Sequence, residues 1–288
     1  MPSPFPQRAE RWRLRRDTLR LPRRPLVMGI VNVTPDSFSD GGRFFSHQAA
    51  IEHALRLADE GAEILDLGGE STRPGAPPVE AAEQLRRVLP VIDTLSRRTA
   101  VPISIDTRSA EVAREAIAAG AQIINDITGL SGDPAMIDVA AQSQAGVCAM
   151  HMQGTPQTMQ DDPRYEDVVQ EVRQYLAARR DALAAAGISP GRIALDPGIG
   201  FGKRTVHNLA LLSNAWRLHE LGCPVLVGHS RKGFLRKLLG DAPVDPLYGT
   251  IGVALALARQ GVQILRVHDV AAVHQALVLF EAAGGMDP

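Results

Sequence analysis

The stretch Ala62-Glu63-Ile64-Leu65-Asp66-Leu67-Gly68-Gly69-Glu70-Ser71-Thr72-Arg73-Pro74-Gly75 begins as a short apolar strand and breaks into glycines, a hydroxyl pair and an arginine. Ile64, Leu65 and Leu67 have the character of a strand buried on both faces, as in a parallel sheet covered by helices. Gly68 and Gly69 end that strand and free backbone N–H groups. Thr72 and Arg73 then stand just past its C-terminal end, where a guanidinium offers a planar fork of donors to a phosphate or carboxylate and the hydroxyl adds another. A solvated turn carrying a surface arginine would read the same way in isolation. Repetition of the pattern along the chain argues against that.

On either side, apolar runs near residues 26–33, 62–67, 101–105, 121–125, 146–150, 192–195, 223–227 and 262–267 alternate with helical-period segments near 46–60, 78–98, 109–119, 133–143, 165–186, 204–220, 246–260 and 269–283. In the second helical segment Ala82, Leu85, Val88, Leu89 and Ile92 recur on one face. Asp245-Pro246 supplies an N-cap and a first helical residue for the seventh. Such units over roughly 250 residues predict an α/β fold, a single (β/α)8 TIM barrel at 25–288, with a doubly wound open sheet as the alternative. Residues 1–24 hold eight arginines, Arg8, Arg11, Arg13, Arg15, Arg16, Arg20, Arg23 and Arg24, and no hydrophobic secretory region. Glu10 and Asp17 weaken an organelle-targeting reading. A short hairpin around Arg15–Thr18 is expected instead, with Trp12, Leu14, Leu19 and Leu21 closing one end of the barrel.

With 288 residues, 45% of them hydrophobic, the chain can bury a sizeable core, and at 4% aromatic that core must be built from Ala, Val, Leu and Ile. A formal charge of −1 argues against a nucleic-acid partner, and no apolar run approaches the ~20 residues that span a bilayer. Cys148 and Cys223, the only cysteines, lie in strand-like runs and read as buried small hydrophobes in a reducing compartment. Lysine is rare, only Lys203, Lys232 and Lys237 among 31 Lys+Arg, so a lysine on a motif is informative.

A barrel of this kind places its site at the C-terminal ends of the strands. The expected strands end at Asn32, Thr72-Arg73, Asp106, Asn125-Asp126, Met150-His151, Asp196, His229-Ser230-Arg231-Lys232 and Arg266-Val267-His268-Asp269. Asp106, Asn125, Asp196 and Lys232 suit the edge of a flat heterocycle: a carboxylate accepts paired N–H groups, an amide donates and accepts, an ammonium donates to a ring carbonyl. Asn32, Thr72, Arg73, Arg266 and His268 form a second, anion-binding set. Together they describe a site for a heterocycle joined to a phosphate or pyrophosphate. Asp126 and Asp269 are expected as helix caps, and His151 and His229 as core histidines. Gly198-Ile199-Gly200-Phe201-Gly202-Lys203-Arg204 resembles a phosphate loop, but Pro197 replaces its first glycine and Arg204 its hydroxyl residue; a flexible loop that brings Phe201 near a ligand is the better reading. Neither HExxH nor CxxC occurs, so the expected metal is a Mg²⁺ carried in by a pyrophosphate, with Asn32 as a protein ligand.

These residues lie in motifs that resemble dihydropteroate synthase: MGIVNVTPDSFSDGG at 28–42, DLGGESTRPGA at 66–76, SIDT at 104–107, NDI at 125–127, MHMQGTP at 150–156, DPGIGFGK at 196–203, HSRK at 229–232 and RVHDV at 266–270. The resemblance implies a cytoplasmic homodimeric transferase of folate biosynthesis, a sulfonamide target, that joins 6-hydroxymethyl-7,8-dihydropterin pyrophosphate to 4-aminobenzoate. It implies pterin contacts from Asp106, Asn125, Met150, Asp196, Gly228 and Lys232. The pyrophosphate and its Mg²⁺ would meet Asn32, Thr72, Arg73, Arg266 and His268, and the aminobenzoate Pro74, Phe201, Ser230 and Gly233. Lys232, Asp106, Asp196 and Arg73 would carry the reaction. Gly233 departs from the family's usual serine, and 245–248 lacks an arginine often present there. A non-catalytic pterin-binding paralogue and a corrinoid-type pterin methyltransferase domain are the alternatives. Thr72-Arg73 and Arg266-His268 count against the latter, which has no use for a pyrophosphate pocket.

Overall fold

Eight parallel strands form the sheet on which the chain is built: β3 (Leu26–Asn32), β4 (Ile64–Gly68), β5 (Ile103–Asp106), β6 (Ile123–Asp126), β7 (Gly146–Met150), β8 (Ile193–Asp196), β9 (Leu226–Gly228) and β10 (Ile264–Val267). The computed structural model describes residues 5–33, 42–71, 75–239 and 245–286. The strand order is β8-β7-β6-β5-β4-β3-β10-β9, and a parallel bridge between Leu195 and Val225 joins the two ends into a barrel. This is the (β/α)8 architecture, and no open doubly wound sheet is needed. Before it, β1 (Arg11–Arg13) and β2 (Thr18–Arg20) pair antiparallel as the expected hairpin.

The strands read as nearly unbroken apolar runs because both faces are covered. Their outward side chains pack with the helices in one cluster that includes Leu65, Leu67, Ile105, Ile124, Val147 and Leu195. A separate cluster fills the barrel's lower end, where Met28, Ile64, Ile123, Cys148, Leu226 and Ile264 meet Trp12, Leu14 and Leu21 of the hairpin. Trp12 is fully buried, and its indole N–H donates to Arg192 O at 2.9 Å, so the ring satisfies its one polar atom as it plugs the barrel.

The helices are α1 (Gly42–Asp59), α2 (Ala81–Arg98), α3 (Ala110–Ala119), α4 (Met136–Ser143), α5 (Val168–Ala185), α6 (Thr205–Ser213), α7 (Gly233–Leu239), α8 (Pro246–Arg259) and α9 (Val270–Ala282). Asp245 caps α8 as expected, accepting from Leu247 N at 2.9 Å, with Pro246 at the first position. Three expectations change. The buried face of α2 is Gln84, Val88, Val91, Ile92 and Leu95, whereas Ala82 is exposed and Leu85 and Leu89 are only partly covered. The apolar stripe is wide enough to be shared, and Gln84 turns inward because its amide bonds Val79 O and Thr107 Oγ1. The segment 204–220 is not one helix: α6 stops at Ser213 and a 3-10 helix runs from Ala215 to Leu221. Finally, α7 was not anticipated, since its seven residues directly follow a polar motif. Among the described residues, no helix is long and apolar enough to cross a membrane.

Candidate active site

Three residues at the upper end of the barrel form an ion-paired cluster. Asp66 points inward from β4 and is completely buried; Arg266, on β10, donates through Nε to Asp66 Oδ2 at 2.6 Å and through Nη2 to Asp106 Oδ2 at 2.6 Å. Asn125 on β6 also donates to Asp66 Oδ2, at 3.2 Å. Arg266, drawn from sequence into the anion-binding set, is thus tied to Asp106 of the heterocycle set and to the buried Asp66. Burial pushes the Asp106 carboxyl up to about 7, with Asp66 adding to the effect and Arg266 opposing it. For Arg266, burial works against the charge, but Asp66 and Asp106 outweigh it and the guanidinium is held more firmly protonated.

Asp196, at the end of β8, accepts from Gly198 N at 2.7 Å, and burial raises it to about 6 despite that bond. Lys232 follows β9 and places its ammonium 4.2 Å from the centre of the Phe201 ring, a cation–π contact. Burial, with Arg266 nearby, lowers Lys232 to about 8. Ser230 Oγ lies 3.1 Å from His268 Nδ1 and accepts from His268 N at 3.3 Å. His268 is driven down to about 4, first by burial and then by Arg266, so near pH 7 it is a neutral hydrogen-bonding ring. Gly233 opens α7 with an exposed backbone, and a side chain built there would meet nothing within 4 Å.

A cavity of about 1400 Å³ opens over this cluster, bordered among others by Asn32, Asp106, Phe201, Gly228, Ser230 and Lys232. Gly233, Arg266 and His268 line it too. Asn125, Met150 and Asp196 are buried at the ends of β6, β7 and β8. Thr72, Arg73 and Pro74 lie outside the described residues.

Several neighbours take other roles than expected. Asp126 caps no helix; its Oδ1 accepts from Thr128 N at 2.7 Å and Thr128 Oγ1 at 2.8 Å within a local turn. Asp269 occupies the position before α9, yet its carboxylate pairs with Arg231 rather than with the helix. His151 and His229 are core histidines, bonded to Lys203 Nζ at 2.9 Å and Thr250 O at 3.0 Å. The 198–204 loop is not flexible in its bonding, because the buried Lys203 ties it to His151. Sequence reasoning missed Asp66, although a lone acid in Ile-Leu-Asp-Leu was the available signal. It also missed the buried Glu70, which accepts from Val79 N at 3.0 Å and Arg108 Nη2 at 2.9 Å and so joins the base of the loop after β4 to the loop after β5.

Among the described residues, no group of three or more His, Cys, Asp or Glu side chains could cage a metal. Asn32, partly exposed at the end of β3 on the cavity wall, offers one amide oxygen. That suits a Mg²⁺ whose ligands come mostly from phosphate and water.

Residues 28–268 match the family described as pterin binding enzyme. The dihydropteroate synthase of Escherichia coli K12 is 47% identical over 258 residues, covering 90% of this chain and 91% of that protein. That of Neisseria meningitidis serogroup B is 48% identical over 267 residues, covering 91% and 93%. The solved structure of Xanthomonas albilineans dihydropteroate synthase with 4-aminobenzoic acid superposes with a TM-score of 0.88 at 48% identity, covering 96% of this chain and 98% of that one. The chain belongs to the pterin-binding enzyme family, and within it to the dihydropteroate synthases.

Proposed function

We propose that this chain condenses 6-hydroxymethyl-7,8-dihydropterin pyrophosphate with 4-aminobenzoate, forming 7,8-dihydropteroate and releasing pyrophosphate. The observation that carries the reading is the convergence of Asp106, Lys232 and Arg266 on one cavity, with Asp196 buried at the end of β8, in a chain nearly half identical to known synthases. Another X. albilineans synthase structure, at 46% identity, holds 7,8-dihydropteroate itself.

In this reading Asp106, Asn125 and Asp196 accept from and donate to the pterin edge, Lys232 donates to a ring acceptor, and Met150 and Gly228 border the ring. Arg266, Asn32, Thr72, Arg73 and His268 face the pyrophosphate. Asn32 would hold a Mg²⁺, which when bound would neutralise charge on the departing group. The C–O bond to the pyrophosphate breaks and its electron pair leaves with the oxygen. Density from the pterin ring nitrogens supports the electron-poor exocyclic carbon. The neutral arylamine donates its lone pair to that carbon, and the nitrogen then sheds a proton to solvent. Cationic residues stabilise the leaving group, and a closed site keeps water from the carbon. Phe201, Pro74, Ser230 and Gly233 hold the aminobenzoate; at Gly233 only backbone can serve, which leaves its carboxylate one hydroxyl contact short.

A homodimer is part of this reading, supported by Tyr248 and Leu279, which are 74% and 69% exposed on the adjacent helices α8 and α9. A cytoplasmic location is supported by Cys148 and Cys223, both free and buried. The deciding experiment supplies the purified chain with the pterin pyrophosphate and Mg²⁺, with and without 4-aminobenzoate. Arylamine-dependent pyrophosphate release is expected; tight pterin binding without release would mark a binding-only paralogue.

A further inference from the structure

The backbone of the loop Gly198–Lys203 is tied at several points beside the cavity, and its anchor is a residue the reaction does not use. Lys203 is 3% exposed, and its ammonium sits among four acceptors: His151 Nδ1 and Phe201 O at 2.9 Å, Gly198 O at 3.0 Å and His151 O at 3.3 Å. An ammonium has three N–H donors, so none need go unmet. Burial lowers His151 to about 3, which keeps the ring neutral and leaves Nδ1 able to accept. Other ties hold the same loop: Gly200 N donates to Asn208 Oδ1 at 2.7 Å, Gln160 Nε2 to Gly200 O at 2.9 Å, and the Tyr165 hydroxyl to Gly202 O at 2.8 Å. Gly198 has φ +68°, and a Cβ there would lie 1.9 Å from His151 O, so the loop presses against the end of β7 with no room for a side chain.

We propose that Lys203 is a positioning residue for arylamine recognition: by fixing the Phe201 carbonyl it holds the Phe201 ring against Lys232 before any ligand arrives. The inference rests on the synthase reading. A wall that had to find its backbone conformation during binding would spend part of the contact energy on ordering, and a preset wall does not. The larger effect falls on the Phe201 wall: Asp196 is held first by Gly198 N, a contact made without the Lys203 ammonium, and the Lys203 charge acts on it only behind that bond and Lys232.

Lys203→Met keeps most of the stem and removes the donors. The KM for 4-aminobenzoate is expected to rise roughly tenfold, while kcat and the KM for the pterin pyrophosphate stay within about threefold. Tyr165→Phe removes one hydroxyl tie and should show the same split at about threefold; it remains readable if Lys203→Met does not fold. If both KM values rise together, or neither moves, Lys203 serves stability alone and the inference falls. Wild-type chain assayed in parallel separates the two failures: no arylamine-dependent release sinks the synthase reading, whereas normal release with no split sinks only the role of Lys203.

Discussion

The two ends of the barrel are built from the same strands and solved in opposite ways. At the lower end inward positions carry Met28, Ile64, Ile123, Leu226 and Ile264, and the hairpin seals them with Trp12. A layer or two higher on the same strands stand Asn32, Asp66, Asn125 and Arg266. Close-packed apolar groups stabilise at one end, while buried charges at the other are tolerable only because each finds a partner. Even so, Asp66 Oδ1 and the neighbouring Ser104 Oγ find none among the described residues. The sealed end supplies stability, and the open end spends some of it on recognition.

Loss of Lys232 should produce the largest effect at the open end. Lys232→Ala is expected to lower kcat/KM for the pterin pyrophosphate by about 10³, close to 4 kcal/mol of transition-state stabilisation, with the melting temperature almost unchanged. Normal steady-state kinetics would remove Lys232 from the site. At the sealed end Trp12→Ala should cost about 3.5 kcal/mol of folding stability, read by urea denaturation, through a cavity and the loss of the donor to Arg192 O. The folded fraction should keep its pterin affinity; a weakened affinity would show that the ends are not independent.

The pH profile comes next. Asp106 must be ionised to accept from the pterin, and it titrates at about 7, while Lys232 loses its charge above about 8. A plot of kcat/KM is therefore expected to rise up to tenfold per pH unit below about 7 and to fall above about 8. In Asp106→Asn the acidic limb should move down to about 6, where Asp196 titrates, along with loss of most activity. The linkage to stability has a definite sign: because the folded carboxyl titrates above its ordinary 3.8, the unfolded chain loses its proton first, and stability drawn from Asp106 declines as pH rises from about 4 to about 7. The smallest effect lies on the hairpin's outer face, where Arg11 stands directly opposite Arg20. Arg11→Thr should stabilise by about 0.3 kcal/mol by removing a like-charge cross-strand pair, measurable only by careful denaturant titration.

Much of this was legible in the chain. Strand-then-polar repetition announced the barrel, and alternation of Trp12, Leu14, Leu19 and Leu21 announced its plug. The placing of Asp106, Asn125, Asp196 and Lys232 at or just past strand ends was readable because each interrupts or follows an otherwise apolar run. Other features were not. The face of α2 was misassigned because a periodic apolar stripe shared between two neighbours does not say which part each covers. Asp269 looked like a cap because Arg231, 38 residues away in sequence, could not be seen to compete for it.

Sequence by itself determined the order of the barrel strands and of the helices between them apart from α7, the apolar lower end and the set of groups available for chemistry, since these depend on local periodicity and on which residues end each strand. Only the tertiary structure decided which charges neutralise one another. Arg266 meets Asp66 and Asp106 across separations of 200 and 160 residues, and Lys203 reaches back 52 residues to His151. Such pairings follow from barrel closure, and in a buried site the energy of a charge is set by the neighbour it meets within a few ångströms rather than by its place in the chain.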